Sequence, residues 1–301
     1  MSRKIVLITG ASSGIGLALS QLLYAKDEFL VLATARASSL PRFAQQNLLE
    51  KDHFFTWPLD ICNAEERENC ISQIESRFGS IDILINNAGV SYTSVIEEAS
   101  FSEELQQLQI NYFAAMALIR RILPAMRKKR SGRIINVSSV GGMMAMPTMG
   151  IYSASKFALE GATESLWYEM KPWNIKVTLF QPGFVHSDAF RKVLLTEKAK
   201  VSSADTHSVY QPYYSNMSRF IAKMMGIAYA SPETLAQKLY KLMQAKNPPI
   251  RVAATIDALF FAYIRRFLPR KLYHYILYRF LPNIKEWEAH AKTFSKKDSS
   301  K

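Results

Sequence analysis

The sequence predicts an α/β protein, namely a single doubly wound domain with a mostly parallel sheet of about seven strands and a helical C-terminal extension. Continuous apolar runs at residues 5–8, 29–36 and 81–85 are typical of strands that are buried on both faces. They alternate with helical patterns, which favours β-α-β units. Within the 301 residues we expect one main domain at 1–254 and a separate extension at 255–301.

A glycine-rich turn follows the first predicted strand. Residues 9–16 read Thr-Gly-Ala-Ser-Ser-Gly-Ile-Gly, and a helical pattern begins directly after them. Gly10 permits a tight turn, Gly14 allows close backbone approach, and Gly16 lets the helix pack on the strand. The N-terminus of this helix would then face the pyrophosphate of a dinucleotide. Simple turn chemistry is the alternative. The pattern predicts a Rossmann-type dinucleotide cradle formed by Gly10, Ser12, Ser13, Gly14, Ile15 and Gly16.

The end of the second predicted strand indicates which dinucleotide is bound. A carboxylate about twenty residues beyond the glycines suits the ribose hydroxyl of NAD, whereas an arginine suits the 2′-phosphate of NADP. Arg36 stands at this position, and the first acidic residue after it is Glu50. NADP is therefore the expected cofactor. The alternative is that Arg36 only caps the strand in solvent.

Tyr152 and Lys156 form the strongest candidate for acid-base chemistry. They are four residues apart, so on a helix they share one face. A nearby ammonium lowers the pKa of a phenol from its usual value of about 10. The spacing alone is more typical of an exposed pair, and its meaning therefore depends on the other motifs.

These motifs together resemble the short-chain dehydrogenase/reductase family, and in particular its hydroxysteroid and retinol dehydrogenase-like members. The resemblance rests on residues 9–16, the run 86–89 (Asn-Asn-Ala-Gly), Asn111, Ser139, the Tyr152 and Lys156 pair, and the loop 182–187. Order and spacing agree over residues 3–253. Six motifs in register are far more specific than any one of them.

The resemblance implies an NADP-dependent oxidoreductase that interconverts a carbonyl and an alcohol. It implies that Tyr152 is the general acid and base, that Ser139 steadies the substrate oxygen, that Lys156 holds the ribose and lowers the pKa of the tyrosine, and that Asn111 holds a water. Ser138 competes with Ser139 for its role, and Asn111 could instead bond its own helix backbone. The implied cofactor contacts, besides the glycine turn and Arg36, are Asp60, Ile61, Asn87, Ala88, Gly89, Tyr152, Lys156, Pro182, Gly183, Val185 and Ser187.

Composition sets the remaining expectations. Only Cys62 and Cys70 are present, which indicates a reducing compartment and no disulfide framework. The first strand begins at Lys4, leaving no room for a signal peptide, so a cytoplasmic location is expected. The five histidines are scattered and have no cysteine beside them, so no metal site is expected. The net charge of +13 comes without a nucleic-acid motif and does not indicate a nucleic-acid partner.

The substrate is expected to be small and apolar. The resemblance implies that the domain 1–254 is catalytic and that residues 187–230 form its substrate lid. Methionines lie between Ser139 and Tyr152, and this lid is rich in aromatic residues and methionine, which suits a lipid-like ketone, steroid or retinoid. Ordinary core packing is the alternative. The residues that carry this hypothesis are Met143, Met144, Met146, Met149, Phe190, Tyr210, Tyr213, Tyr214, Met217, Phe220, Met224, Met225 and Tyr229.

The extension is basic and amphipathic. Ile256, Leu259, Phe260, Tyr263, Ile264 and Phe267 share one helical face, Pro269 breaks this helix, and a second apolar pattern continues to Phe280. Such a pair of helices suits an anionic membrane surface, the mouth of the pocket, or a partner subunit in a homo-oligomer. Two rival functions also remain, a catalytically silent NADP-binding regulator and a membrane-attached scaffold.

Overall fold

The computed structural model describes residues 3–186 and 194–298, with side chains as far as residue 293. The strands of its main sheet are β1 Lys4–Ile8, β2 Phe29–Ala35, β3 Phe54–Pro58, β4 Ile83–Asn86, β5 Gly132–Val137, β6 Ile175–Gln181 and β7 Arg251–Ala253. Their order is β3-β2-β1-β4-β5-β6-β7, and every neighbouring pair is parallel. The strand order reverses between β1 and β4, which creates a crevice at their carboxyl ends.

Helices cover both faces of this sheet. The helices of the domain are α1 Gly14–Lys26, α2 Pro41–Gln45, α3 Ala64–Phe78, α4 Phe101–Leu108, α5 Ala114–Lys129, α6 Gly150–Met170 and α9 Pro232–Gln244. Leucines of α1 and α9 pack on one face of the sheet, and apolar side chains of α3, α5 and α6 pack on the other. Because the strands are buried on both faces, they are almost wholly apolar.

Five further helices lie at the substrate end of the chain. They are α7 Glu197–Ala204, α8 Gln211–Gly226, α10 Ile256–Phe267, α11 Arg270–Arg279 and α12 Ile284–Asp298. α10 packs on the loop after β5, where Ala258 joins Val140, Met143 and Met144 in one apolar cluster. α12 packs on α8, where the Trp287 ring stacks on the Tyr213 ring with 4.3 Å between the ring centres. The extension therefore covers α8 and the loop that follows Ser139.

The predicted fold class is confirmed. β7 is a three-residue edge strand, which is too short to show a pattern in the sequence. A π-helical turn at Gln109–Phe113 separates α4 from α5. The extension has a third helix, α12, beyond the two that the apolar pattern indicated.

Candidate active site

A cavity of about 930 Å³ lies in the crevice at the carboxyl ends of β1, β2, β4 and β5. Its volume is at the upper end of the range for ligand sites in proteins. Eighteen residues that the sequence singled out line it: Gly10, Ser12, Ser13, Gly14, Ile15, Arg36, Asp60, Ile61, Asn87, Ala88, Gly89, Ser138, Ser139, Tyr152, Lys156, Pro182, Gly183 and Val185. Ser187, the remaining expected contact of the loop after β6, lies outside the described residues, as does Phe190 of the lid.

The glycine turn has the backbone that a phosphate cradle requires. Gly10 and Gly14 adopt φ angles of +63° and +53°, which residues with a side chain rarely adopt. Gly16 does not line the cavity; a Cβ there would lie 2.5 Å from the carbonyl oxygen of Gly10 and 2.5 Å from Nδ2 of Asn87. Its small size therefore lets α1 approach the strand ends closely, as the sequence predicts.

Thr9 joins this turn to the strand end at Asn87, a role that the sequence reasoning did not assign. Oγ1 of Thr9 accepts hydrogen bonds from the backbone N–H groups of Asn87 and Ala88 at 3.0 and 3.1 Å. In return, Nδ2 of Asn87 donates to the carbonyl oxygens of Thr9 and Gly10. The two loops that face the cavity are thus fixed to each other by short polar contacts.

Arg36 stands at the far end of the cavity, where β2 ends. It is exposed, and Ser39 and Arg42 line the same end. The sequence reasoning missed these two residues, although they follow Arg36 at helical spacings of three and six. Two guanidinium groups and a hydroxyl can together hold a phosphate through charge-assisted hydrogen bonds.

Tyr152, Ser139 and Lys156 meet at the opposite end of the cavity. Tyr152 and Lys156 are buried on α6, with Nζ of the lysine 5.9 Å from the centre of the phenol ring. The sequence predicts that the lysine lowers the pKa of the tyrosine. In the structure burial instead raises the pKa of Tyr152, and a hydrogen bond from Ser139 partly offsets that rise. The Nζ of the lysine donates to the carbonyl oxygen of Val137 at 3.0 Å.

A buried carboxylate, Glu160, lies one turn beyond Lys156 on the same helix. Burial lowers the pKa of Lys156 to about 8, and the charge of Glu160 opposes that shift. Ser138 donates to Oε1 of Glu160 at 2.7 Å, and Arg251 of β7 pairs with its other oxygen. The hydroxyl of Ser138 is therefore engaged behind the strand. The sequence reasoning missed Glu160, although an acid four residues after the lysine in a buried helix was the available signal.

Asn111 lies in the π-helical turn and does not line the cavity. Its Oδ1 accepts from the backbone N–H of Val90 at 2.9 Å, and its Nδ2 donates to the carbonyl oxygen of Val90 and to Oγ of Ser155. It thus bonds other elements rather than its own helix. A Cβ on Gly89 would lie 3.2 Å from Oδ1 of Asn111 and 3.6 Å from Nζ of Lys156, which places all three groups together. Such turns are frequent at functional sites.

The loop after β6 is tied to the first turn of α10. The N–H of Gly183 donates to Oγ1 of Thr255 at 2.9 Å, and that of Phe184 donates to Oδ2 of Asp257 at 2.8 Å. A Cβ on Gly183 would overlap the carboxylate of Asp257. The sequence reasoning did not connect the extension to this loop, because the contact joins residues more than seventy positions apart.

Comparison with known proteins establishes the family. The family model for short chain dehydrogenases matches residues 4–198, which include the glycine turn, Ser139, Tyr152 and Lys156. The chain belongs to the short-chain dehydrogenase/reductase family. Members of this family are oxidoreductases that act on CH–OH and C=O groups with a nicotinamide dinucleotide, and the cavity of this dehydrogenase has the strand-end position and glycine turn that such a cofactor needs.

Relatives and solved structures extend over most of the chain. A 3-ketodihydrosphingosine reductase of Bacteroides thetaiotaomicron is 33% identical over 279 residues, which are 92% of this chain and 97% of that protein. Retinol dehydrogenase 8 of Bos taurus is 33% identical over 257 residues, or 82% of this chain and 80% of that protein. The crystal structure of a short-chain dehydrogenase from Streptomyces avermitilis matches with a TM-score of 0.77 at 26% identity, covering 97% of this chain and 98% of that one.

A smaller apolar pocket adjoins Ser139 and Tyr152 in this dehydrogenase. Met146 and Met149 line it from the loop before α6, and Ile221 and Met225 line it from α8. The other expected methionines and aromatic residues of the described chain do not line this pocket: Met143, Met144, Tyr214 and Met217 are in the core, Tyr210, Tyr213, Phe220 and Met224 are half-buried, and Tyr229 is exposed. Ser91 lines both cavities, and among the residues that the structure describes its buried hydroxyl has no hydrogen-bond partner. It therefore offers a polar group inside the apolar pocket.

One group of potential metal ligands lies away from the cavity. Asp27, Asp52 and His53 bring their ligand atoms within 4.8 Å of one another near the start of β1. Arg3 already pairs with both carboxylates, at 2.6 Å for Asp27 and 3.1 Å for Asp52. The cluster is therefore an ion-pair network at the amino ends of β1, β2 and β3.

Proposed function

We propose that this dehydrogenase uses NADP(H) to interconvert a carbonyl and an alcohol on an apolar substrate, with Tyr152 as the proton donor and acceptor. The observation that carries the proposal is the layout of one cavity. Ser139, Tyr152 and Lys156 meet at its inner end beside an apolar pocket, and two arginines stand at its outer end. NADPH, when bound, supplies the hydride that the protein itself cannot supply.

The side chains then divide the remaining chemistry. In the reducing direction the Tyr152 hydroxyl gives its proton to the carbonyl oxygen of the substrate, and the Ser139 hydroxyl donates to that oxygen as its charge develops. Lys156 keeps its positive charge close to the phenolate that forms and holds the ribose, so it compensates the burial that raises the pKa of Tyr152. Asn111, fixed on Val90, provides the place beside Lys156 for a water that returns the proton. Oxidation reverses each of these steps.

The assignment to Ser139 rather than Ser138 rests on where the two hydroxyls point. Ser138 is held by Glu160 through a hydrogen bond of 2.7 Å. Ser139 accepts only from the backbone N–H of Gly141 at 3.1 Å, lines both cavities, and acts on the pKa of Tyr152. We therefore assign the substrate oxygen to Ser139.

The preference for NADP follows from charge. Arg36 and Arg42 lie at the end of β2 where an enzyme that prefers NAD carries a carboxylate. A 2′-phosphate there would accept charge-assisted hydrogen bonds from both guanidinium groups and from Ser39. The same guanidinium groups cannot accept a hydrogen bond from the ribose hydroxyl of NAD, as a carboxylate would.

The proposed substrate class follows from the apolar pocket. Four flexible or branched side chains surround the place where a carbonyl would meet Tyr152 and Ser139, which favours an apolar group over a charged one at that place. Two relatives are a 3-ketodihydrosphingosine reductase and a retinol dehydrogenase, whose names denote apolar molecules. We propose a lipid-like ketone or alcohol.

The decisive experiment measures NADPH oxidation with a decyl ketone and with a short keto acid. We expect the parent protein to turn over the decyl ketone faster than the keto acid. In Tyr152→Phe, we expect kcat to fall by roughly 10²–10⁴-fold with little change in NADPH binding. Tyr168→Phe is the control, because Tyr168 lies on the same helix with 61% of its surface exposed. Equal rates for the parent and Tyr152→Phe would refute the mechanism and favour a silent NADP-binding regulator. Faster turnover of the keto acid would refute the substrate class.

A further inference from the structure

The C-terminal helices turn a broad apolar surface to solvent. On α10 and α11, and just beyond them, nine large apolar or aromatic side chains are between 45% and 80% exposed. We call these residues the outer face: Ile256, Leu259, Phe260, Tyr263, Phe267, Leu272, Tyr275, Tyr278 and Phe280. Exposed apolar side chains grouped on two consecutive helices in this way mark an interaction site more often than a free surface.

The core of the protein does not use this surface. The side of α10 that packs on the domain carries Ala258, Phe261 and Ala262, which meet the loop of Met143 and Met144. The more apolar stripe of α10, the six residues that the sequence placed on one helical face, lies on the opposite side. Five of these six side chains are exposed, and Ile264 is half-buried. In an ordinary surface helix the most apolar stripe faces the core. Here the arrangement is inverted, so the outer face requires another explanation.

The charge around the outer face is mostly positive, although Tyr278 of this face donates a hydrogen bond to the Glu288 carboxylate of α12 at 3.2 Å. Residues 258–285 contain six basic residues and no acidic residue. All six are exposed, and two of them lie over rings of the outer face: Arg266 is 6.0 Å from the centre of the Phe267 ring, and Arg279 is 5.8 Å from that of Tyr275. The full set is Arg265, Arg266, Arg270, Lys271, Arg279 and Lys285. Aromatic rings mixed with exposed cations suit the boundary between lipid head groups and acyl chains.

We propose that the outer face docks this protein on the surface of an anionic lipid bilayer. Rings and aliphatic side chains would enter the head-group boundary, and the six cations would meet lipid phosphates and carboxylates. A second copy of the chain fits less well, because a two-fold dimer through the same face would bring the two sets of cations together. Insertion across the bilayer is not required: none of the helices in the described part of the chain has the length and apolar character of a membrane span.

Docking would place lipid close to the active-site cavity. The first turn of α10 holds the loop after β6 through Thr255 and Asp257, while the outer face begins on the same helix at Ile256. A helix with its side chains is about 10–12 Å across, so the loop would lie roughly one helix diameter from the bilayer. This placement does not depend on the substrate or on the cofactor.

Flotation of the full chain with vesicles tests the proposal. The vesicles are pure phosphatidylcholine, or phosphatidylcholine mixed with phosphatidylserine, at low and at raised salt. We expect the parent to float with the anionic vesicles, to float little with the neutral ones, and to be released by salt because surface charges are screened. Parent protein that stays at the bottom with anionic vesicles, or binds both vesicle types equally, would overturn the proposal.

Two sets of variants assign binding to the outer face. Phe260→Ser with Phe267→Ser removes two rings, and Arg265→Gln, Arg266→Gln and Arg270→Gln together remove three cations; each set should lower partition by about tenfold or more. The matched controls are Phe101→Ser, which changes a ring that is 78% exposed on α4, and Arg120→Gln with Lys128→Gln, which removes exposed cations of α5. Both controls should bind like the parent.

Folding and self-association are followed in the same variants. Because the changed side chains are exposed, we expect the parent Tm and NADPH affinity in all of them. Equal flotation of the ring variant and the parent would refute docking through the outer face. A parent dimer that the ring variant abolishes, combined with no vesicle binding, would assign the face to a second copy and would also refute the proposal.

Discussion

The two sides of the active-site cavity are held by different kinds of contact. The cofactor side (residues 9–16, 36–42 and 86–89) is formed by strand ends joined through short polar bonds, such as that from the N–H of Asn87 to Oγ1 of Thr9. The substrate side (residues 140–149, 183–186 and 211–226) is held by helices from the end of the chain, through Ala258, Asp257 and Trp287. Main-chain and amide hydrogen bonds between strand ends therefore hold the first side, and packing of the C-terminal helices holds the second.

The largest expected effect comes from Gly16→Val, which tests whether the cofactor side tolerates any added volume. The new side chain would meet the carbonyl oxygen of Gly10, where even a Cβ would lie at 2.5 Å. We expect a loss of about 1–3 kcal/mol or more in the free energy of unfolding, and a fall of roughly 100-fold in NADPH affinity as the cradle shifts. Thermal unfolding and fluorescence titration of NADPH measure the two effects.

Gly161→Ala is the matched control for this change. Gly161 lies inside α6, and a Cβ there would have no atom within 4 Å. Alanine should stabilise the protein by about 0.5–1 kcal/mol, because glycine is the poorer helix former. Unchanged NADPH binding in Gly16→Val would show that the cofactor side is less constrained than its geometry indicates.

At the outer end of the cofactor side, exposed side chains rather than main chain face the ligand, and their loss should have the next largest effect. Arg36→Ala and Arg42→Ala should each weaken NADPH binding by roughly 10–100-fold, the value of a charge-assisted hydrogen bond of about 1.5–3 kcal/mol. NADH binding should change little. Parallel titrations of both nucleotides measure this, with Lys128→Ala as a distant basic control. Equal losses for NADPH and NADH would contradict the assignment of these arginines to the 2′-phosphate.

This contrast explains how much could be predicted from the sequence. The cofactor side depends on residue types at fixed local spacing, so the glycine turn, Arg36, Asn87 and the run of buried strands were all visible in the sequence. The fold class followed from the same runs. The pair of Tyr152 and Lys156 was also visible, because its members share one helix face.

The substrate side could not be predicted in the same way. Thr255 and Asp257 reach the loop after β6 across more than seventy residues, and no local pattern encodes that contact. The direction of the apolar stripe on α10 was also hidden, since periodicity shows that a helix has an apolar face but not what lies against it. The pKa of Tyr152 depends on burial, which the spacing to Lys156 does not report.

Glu160→Gln tests the junction between the two sides. The carboxylate of Glu160 opposes the fall in the pKa of Lys156 that burial causes, so its loss lowers that pKa below its present value of about 8. Lys156 would then lose its proton at lower pH, and the alkaline limb of kcat/KM for reduction should move to lower pH. We also expect a loss of about 1–3 kcal/mol in stability, because Ser138, Gln181 and Arg251 lose a charged acceptor.

Glu164→Gln is the control for the effect of Glu160. Glu164 also pairs with Arg251, at 2.6 Å, but its side chain is 45% exposed. It should change stability slightly and leave the pH profile in place. The profile is measured with saturating NADPH across the range in which the protein stays folded. A limb that moves equally in both variants would show that Arg251, and not the charge of Glu160, governs Lys156.

The smallest effect tests local strain on the substrate side. Thr148 lies in the loop 140–149 with a φ of +62°, which is costly for a β-branched residue. Its buried hydroxyl has no hydrogen-bond partner in the described part of the chain. Thr148→Gly should raise the free energy of unfolding by about 1 kcal/mol, the relief of left-handed strain less the entropy of glycine. Thr148→Ala removes the hydroxyl but keeps the Cβ, so it should gain less.

Asn174→Gly is the comparison variant. Asn174 has a similar φ of +58°, but its replacement loses a hydrogen bond to the carbonyl oxygen of Arg130, so it should not stabilise the protein. Thermal unfolding ranks the three variants. A loss of stability in Thr148→Gly would mean that the contacts of the threonine methyl in the loop outweigh the strain of its backbone.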